Sequence, residues 1–262
     1  MTKTYNRRSV LAAVGAAGAI AFGAQSVRAR DPPYTKYTYA QTDGEGGRLS
    51  VAWYETYNGE FQEAQNGSAE ENATRVTDPA VAPYYVAEAT GPIVTLGNVL
   101  PGDSGAVLIG LLAERVPEQE EGMEVWFRPV LTGNFENGVT EPERDDGDDT
   151  ETGTTAGELA DFLIVRFFED DGLIGGCDGR FWIDDTPITP AAPMVSVFDS
   201  IEDGVKLTDG CLLEGERRCI GFTWELPKDT GNVVQTDGVT FDLEFIGLGG
   251  ESSNPWNVEG SQ

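Results

Sequence analysis

Two short acidic runs frame a glycine-rich segment, with Glu169-Asp170-Asp171-Gly172 before it and Asp184-Asp185 after it. Hard oxygen ligands gathered on loops are what calcium takes. Asp170, Asp171, Asp184 and Asp185 therefore make a candidate calcium set, although their spacing is not that of an EF-hand. The competing reading is a solvated acidic surface, and calcium is the single cofactor expectation. The run Asp145, Asp146, Asp148 and Asp149 has the character of a mobile block of like charge. The chain contains no histidine, which excludes a His-Glu-x-x-His zinc helix and a Ser–His base pair. A hydrolase working with carboxylates alone needs two of them at a defined spacing across a cleft, and 45 Asp and Glu residues single out no such pair. No catalytic residue is assigned, and an enzyme is not expected.

Three cysteines, Cys177, Cys211 and Cys219, suit one disulfide and one odd thiol in an oxidising compartment, with all three pairings open. Asn66-Gly67-Ser68 and Asn72-Ala73-Thr74 fit the N-glycosylation rule, making Asn66 and Asn72 candidate acceptors on an exposed loop. Trp53, Trp126, Trp182, Trp224 and Trp256 could stack on sugars in a polysaccharide-binding module, but strand tryptophans more often pack in the core.

Residues 1–29 have the layout of an export signal. Lys3, Arg7 and Arg8 precede an apolar run from Val10 to Ala24, and Val27-Arg28-Ala29 suits cleavage after Ala29, with Ser26 or Gly23 as other positions. Arg7-Arg8 before Ser9-Val10-Leu11 has the pattern of a twin-arginine signal. Beyond it no apolar run approaches the ~20 residues that span a bilayer. The net charge of −28, with lysine only at positions 3, 36, 206 and 228, is a self-repulsion that molar salt would screen. The reading is a secreted protein of a salt-rich medium, and nucleic acid is an unsuitable partner because no basic patch exists.

The elements that would position these groups read as strands between Gly, Pro, Asn and Asp turns. Leu49–Tyr54 alternates as a half-buried strand does. Further strands are expected at Ile93–Leu96, Ala106–Ala113, Glu124–Thr132, Phe162–Glu169, Val195–Ile201, Ile220–Glu225 and Val239–Leu248, with one helical turn at Ala156–Asp161. The stretches Gln62–Asp78 and Thr140–Thr155 read as long polar loops. The expectation is an all-β fold, a jelly-roll-like antiparallel sandwich over residues 49–250, with a linker or donor strand at 30–48 and a tail at 251–262.

Leu96-Gly97-Asn98-Val99-Leu100-Pro101-Gly102-Asp103-Ser104-Gly105 resembles a turn of the TasA/camelysin family. Glu136–Glu143 and Gly157–Asp161 resemble a pattern in its archaeal members, and Trp224–Pro227 with Gly231–Phe241 is similar to the family's closing segment, in order along the chain. The resemblance implies an extracellular jelly-roll subunit of a surface or biofilm-matrix filament, with other envelope or matrix proteins as further partners. Camelysin-like relatives would imply a surface hydrolase, which the missing histidines oppose. The chain departs from the family at Asp31-Pro32-Pro33-Tyr34 and at Gly247-Leu248-Gly249. Locally, Pro101-Gly102 is a turn, and Asp103 and Ser104 are suited to bonding its backbone. Tyr34, Thr35, Lys36, Tyr37, Thr38 and Tyr39 alternate as a strand before a Gly-rich break. They form the candidate donor strand for a head-to-tail homopolymer, the competing reading being that the strand pairs with its own sheet.

Overall fold

Alternation of period two decides which residues enter the central core. Leu49, Val51 and Trp53 on one strand, Val107, Ile109 and Leu111 on another, and Val239, Phe241, Leu243 and Phe245 on a third all enter one apolar cluster. The computed structural model describes residues 36–42, 47–62, 93–116, 122–150, 152–171, 177–207, 210–249 and 253–256. The strands are β1 (Lys36–Thr42), β2 (Arg48–Tyr57), β3 (Glu60–Gln62), β4 (Ile93–Gly97), β5 (Ser104–Arg115), β6 (Met123–Phe135), β7 (Ile164–Glu169), β8 (Thr186–Pro187), β9 (Ala192–Pro193), β10 (Val205–Lys206), β11 (Arg217–Glu225) and β12 (Gly238–Gly249). Three short helices, α1 (Glu141–Asp145), α2 (Leu159–Phe162) and α3 (Met194–Ser200), lie between them. The fold is all-β, as the alternation implies.

Two antiparallel layers carry the core. One runs β2-β5-β11-β7, with β8 and β9 on the outer edge of β7. The other runs β10-β6-β12, with β4 on the far side of β12. Phenylalanines close the space between them: Phe127 on β6 meets Phe167 on β7 at 4.9 Å, and Phe222 on β11 meets Phe241 on β12 at 5.2 Å. Contacts from one layer into the other are what define a sandwich. The strands β2, β4, β5, β6, β7, β10, β11 and β12 alternate between the layers along the chain.

One expected strand is a helix. The stretch Val195–Ile201 is β-branched enough to suggest a strand, yet it falls largely in α3. Its buried residues are Met194, Val197, Phe198 and Ile201, a spacing of three, four and seven that is helical. Phe198 packs against Phe167 of one layer and Phe241 of the other, so α3 contributes to the core between them. Phe162 ends α2 rather than opening a strand. Thr140–Thr155, expected as a loop, holds α1, which starts in a capping box where Glu143 accepts the Thr140 N–H.

Phe167 is fully buried and touches Phe127, Phe198 and Phe222. Phe167→Ala should remove about 3–5 kcal/mol of stability. At about 2–4 °C per kcal/mol for a domain of this size, thermal unfolding in molar salt should show a drop near 10 °C.

Candidate functional site

The candidate donor strand falls on β1. It runs antiparallel to β2, from Lys36 opposite Trp53 to Ala40 opposite Leu49, and then parallel to β12, with Gln41 opposite Ile246 and Thr42 opposite Gly247. It thus joins the two layers at their seam. The structure pairs the described part of the candidate donor strand, Lys36, Tyr37, Thr38 and Tyr39, with its own sheet. Tyr34 and Thr35 lie outside the described residues, as do the signal segment and the glycosylation candidates Asn66 and Asn72.

The Leu96–Gly105 segment is a corner brace. Asp103 accepts hydrogen bonds from the Leu100 N–H and Asn58 Nδ2, both at 2.8 Å, and from the Tyr57 hydroxyl. Asn58 Oδ1 accepts the Ser104 N–H at 2.9 Å. The turn before β5 is thereby tied to the turn after β2. Gly105 is required there, because a Cβ would sit 2.5 Å from the Thr56 carbonyl oxygen and 2.6 Å from the Trp224 ring. These residues hold the fold together, as the local chemistry of Pro101–Ser104 suggests.

On the outer face of β2, β5 and β11, Tyr54, Leu108 and Cys219 are covered by a loop that carries Cys177. Cys177 and Cys219 form the disulfide, and Cys211 is free and exposed. Asp170 is buried beneath that loop and accepts the Cys177 and Gly179 N–H groups at 2.8 and 2.7 Å. Burial pushes its carboxyl up to about 6 despite those two donors. Asp185 accepts the Trp182 N–H at 2.6 Å, and Asp171 accepts the N–H and hydroxyl of Thr186. Asp184 is exposed. The candidate calcium set is thus built into the loop as hydrogen-bond acceptors, and it does not gather three carboxylates around one point.

Such a gathering occurs elsewhere among the described residues. Glu136, Glu158 and Asp237 each offer a carboxylate oxygen within 4.8 Å of the others, and Glu136, Glu143 and Asp148 do the same. Glu136 follows β6, Glu143 lies in α1, Asp148 follows it, Glu158 precedes α2 and Asp237 precedes β12. All are buried except Glu158, which is half-buried. Glu143 is well supplied with donors. Burial pushes its carboxyl up, but hydrogen bonds from Thr140 and Thr236 outweigh this and hold it below the usual value. Asp237 accepts the Glu158 and Leu159 N–H groups at 2.6 and 2.9 Å on one oxygen. Burial, and then the facing carboxyl of Glu136, push it up to about 7.

The sequence reading missed this centre because its members are spread from 136 to 237. One signal was present: Thr140-x-x-Glu143 is a capping box, which makes an ordered helix start of a stretch that otherwise resembles a mobile acidic loop. The acidic run is ordered as well. Asp148 is buried, and Asp146 accepts the Asn232 N–H at 2.6 Å. The five tryptophans do not form one stacking platform. Trp53 and Trp224 belong to the core, Trp256 lies under the Arg128 guanidinium, and Trp182 is the exposed one. Among the described residues no helix is long and apolar enough to cross a membrane. Comparison with family models, with curated proteins and with solved structures gave no match.

The Cys177–Cys219 bond spans 42 residues of sequence. A closed loop of that length is worth about 4 kcal/mol in chain entropy. Reduction, or Cys177→Ser, should lower the unfolding midpoint by about 10 °C. Cys211→Ser should leave it unchanged, with thiol counting on the native protein reporting one reactive group.

Proposed function

We propose that this protein is an extracellular structural protein, the subunit of a cell-surface or biofilm-matrix filament whose neighbours join by exchanging the N-terminal strand. The position of β1 carries the reading. This first strand lies at the seam, hydrogen-bonded to β2 along one edge and reaching β12 with its last residues. Withdrawing it leaves the β2 edge open, which is a template for another strand of the same sequence. Main-chain hydrogen bonds then supply affinity whichever chain β1 comes from, and residues 43–47 link it to β2. A contact in which one subunit gives the strand and the next receives it is heterologous, so it extends into a filament unless it closes into a ring.

Other features support the same reading. Strands alternating between two layers suit a jelly roll, and the segments from Leu96 to Phe241 resemble those of the TasA/camelysin family. The export-like start and the charge of −28 suit a salt-rich exterior. The resulting partner is a second copy of the chain, with other matrix proteins as further partners.

Electron microscopy of the mature protein at molar salt should show filaments. Protein lacking residues 31–40 should keep its β-sheet circular dichroism, form no filaments and bind a peptide of those ten residues. Filaments formed normally by the truncated protein would rule out exchange through this strand.

A further inference from the structure

We propose that the centre formed by Glu136, Glu143, Asp148, Glu158 and Asp237 binds a calcium ion, held chiefly between Glu136, Glu158 and Asp237. This inference stands independently of filament assembly. Four oxygens in the centre carry it: Glu136 Oε2, Asp148 Oδ2, Glu158 Oε2 and Asp237 Oδ1 are buried and, among the described residues, accept no N–H or hydroxyl. Glu136, Asp148 and Asp237 are 1%, 7% and 1% exposed, so bulk solvent does not reach them. Among the described residues no ion pair joins Lys or Arg to any of the five. An unpaired buried carboxylate is strongly unfavourable, and three within reach of one another are worse.

The other oxygens of the same side chains are well supplied. Glu136 Oε1 accepts the Gly138 N–H at 2.6 Å and the Thr236 hydroxyl at 3.3 Å. Asp148 Oδ1 accepts the Thr150 N–H at 2.8 Å, and Glu158 Oε1 accepts the Thr150 hydroxyl at 2.7 Å. Each carboxylate is therefore held by one oxygen, with the other left for something that is not an N–H or O–H of the protein. Calcium fits that need. It binds six to eight oxygens at about 2.3–2.6 Å, so two ligands across one ion are at most about 5 Å apart. Both carboxylate sets fall within 4.8 Å, and they share Glu136. Three carboxylates on one small volume favour a divalent ion over the sodium or potassium of a saline medium. The tolerance of calcium for irregular, loop-supplied ligands favours it over octahedral magnesium. An ion there would fasten the end of β6 to the starts of α2 and β12.

The test uses mature protein at constant molar KCl, stripped with a chelator and titrated with calcium chloride. Calcium at about a hundredfold excess over Kd should raise the unfolding midpoint by about 5–10 °C, magnesium should do much less, and calorimetry should show saturable binding. Glu136→Gln keeps Oε1 as an acceptor and puts an amide where the unpartnered oxygen was. It should fold without calcium and lose the calcium-dependent shift. Glu158→Gln, at the half-buried position, should behave alike and gives a second reading if the first variant fails to fold. An equal shift in wild type and both variants would mean screening of the acidic surface and would overturn the site. So would a wild type indifferent to calcium whose stability falls as pH rises from about 4 through about 7. That direction follows from a carboxyl whose folded value is raised, and it would mean that a shared proton, not a cation, settles the charge.

Discussion

A carboxylate removed from water must be given hydrogen-bond donors or a cation, and this chain, with 45 acidic residues against 17 basic ones, has few cations to give. The fold meets that constraint with its own backbone. Asp103 takes the Leu100 N–H at a corner, Asp170 takes two N–H groups beneath the disulfide loop, and Glu143 takes those of Thr140 and Thr236. In each case an acidic side chain bonds the backbone of a turn or loop. The acidity is thus part of the architecture as well as a coating. Where the supply of donors runs out, at Glu136, Asp148, Glu158 and Asp237, the geometry becomes that of a cation site.

The forces that hold the sandwich are distinct from the surface repulsion that salt screens. The phenylalanines between the layers and the main-chain hydrogen bonds of the β1 ladder carry no net charge. Repulsion among surface acids is long-ranged at low ionic strength and falls within a Debye length of about 3 Å at 1 M salt. A filament built on main-chain pairing of β1 would depend on salt only through that repulsion between subunits. It would therefore grow better at molar than at low ionic strength.

Much of the fold was legible in the alternation of apolar residues. Val239–Leu248 foretells a strand because a pleated strand with one buried face has that pattern. Leu49–Tyr54, expected to be half-buried, is instead buried on both faces because the Cys177 loop covers its outer side. The stretch Val195–Ile201 has the β-branched residues of a strand but forms a helix, because Met194, Val197, Phe198 and Ile201 are spaced to bury one helical face. The disulfide was open among three pairings, since only the loop over Tyr54 and Leu108 brings Cys177 to Cys219. The acidic centre was illegible for a different reason. Its residues come from five separate places, and a sequence shows how acidic a segment is but not which carboxylates the fold will drive inward.

The claim that buried acids are satisfied by donors, and by calcium where donors fail, is tested most directly by a crystal structure of the protein grown in calcium. The expected result is an anomalous peak ringed at about 2.3–2.6 Å by oxygens of Glu136, Glu158 and Asp237. The contradicting result is no peak, with the Glu136 and Asp237 carboxyl oxygens within hydrogen-bond distance of each other across a shared proton.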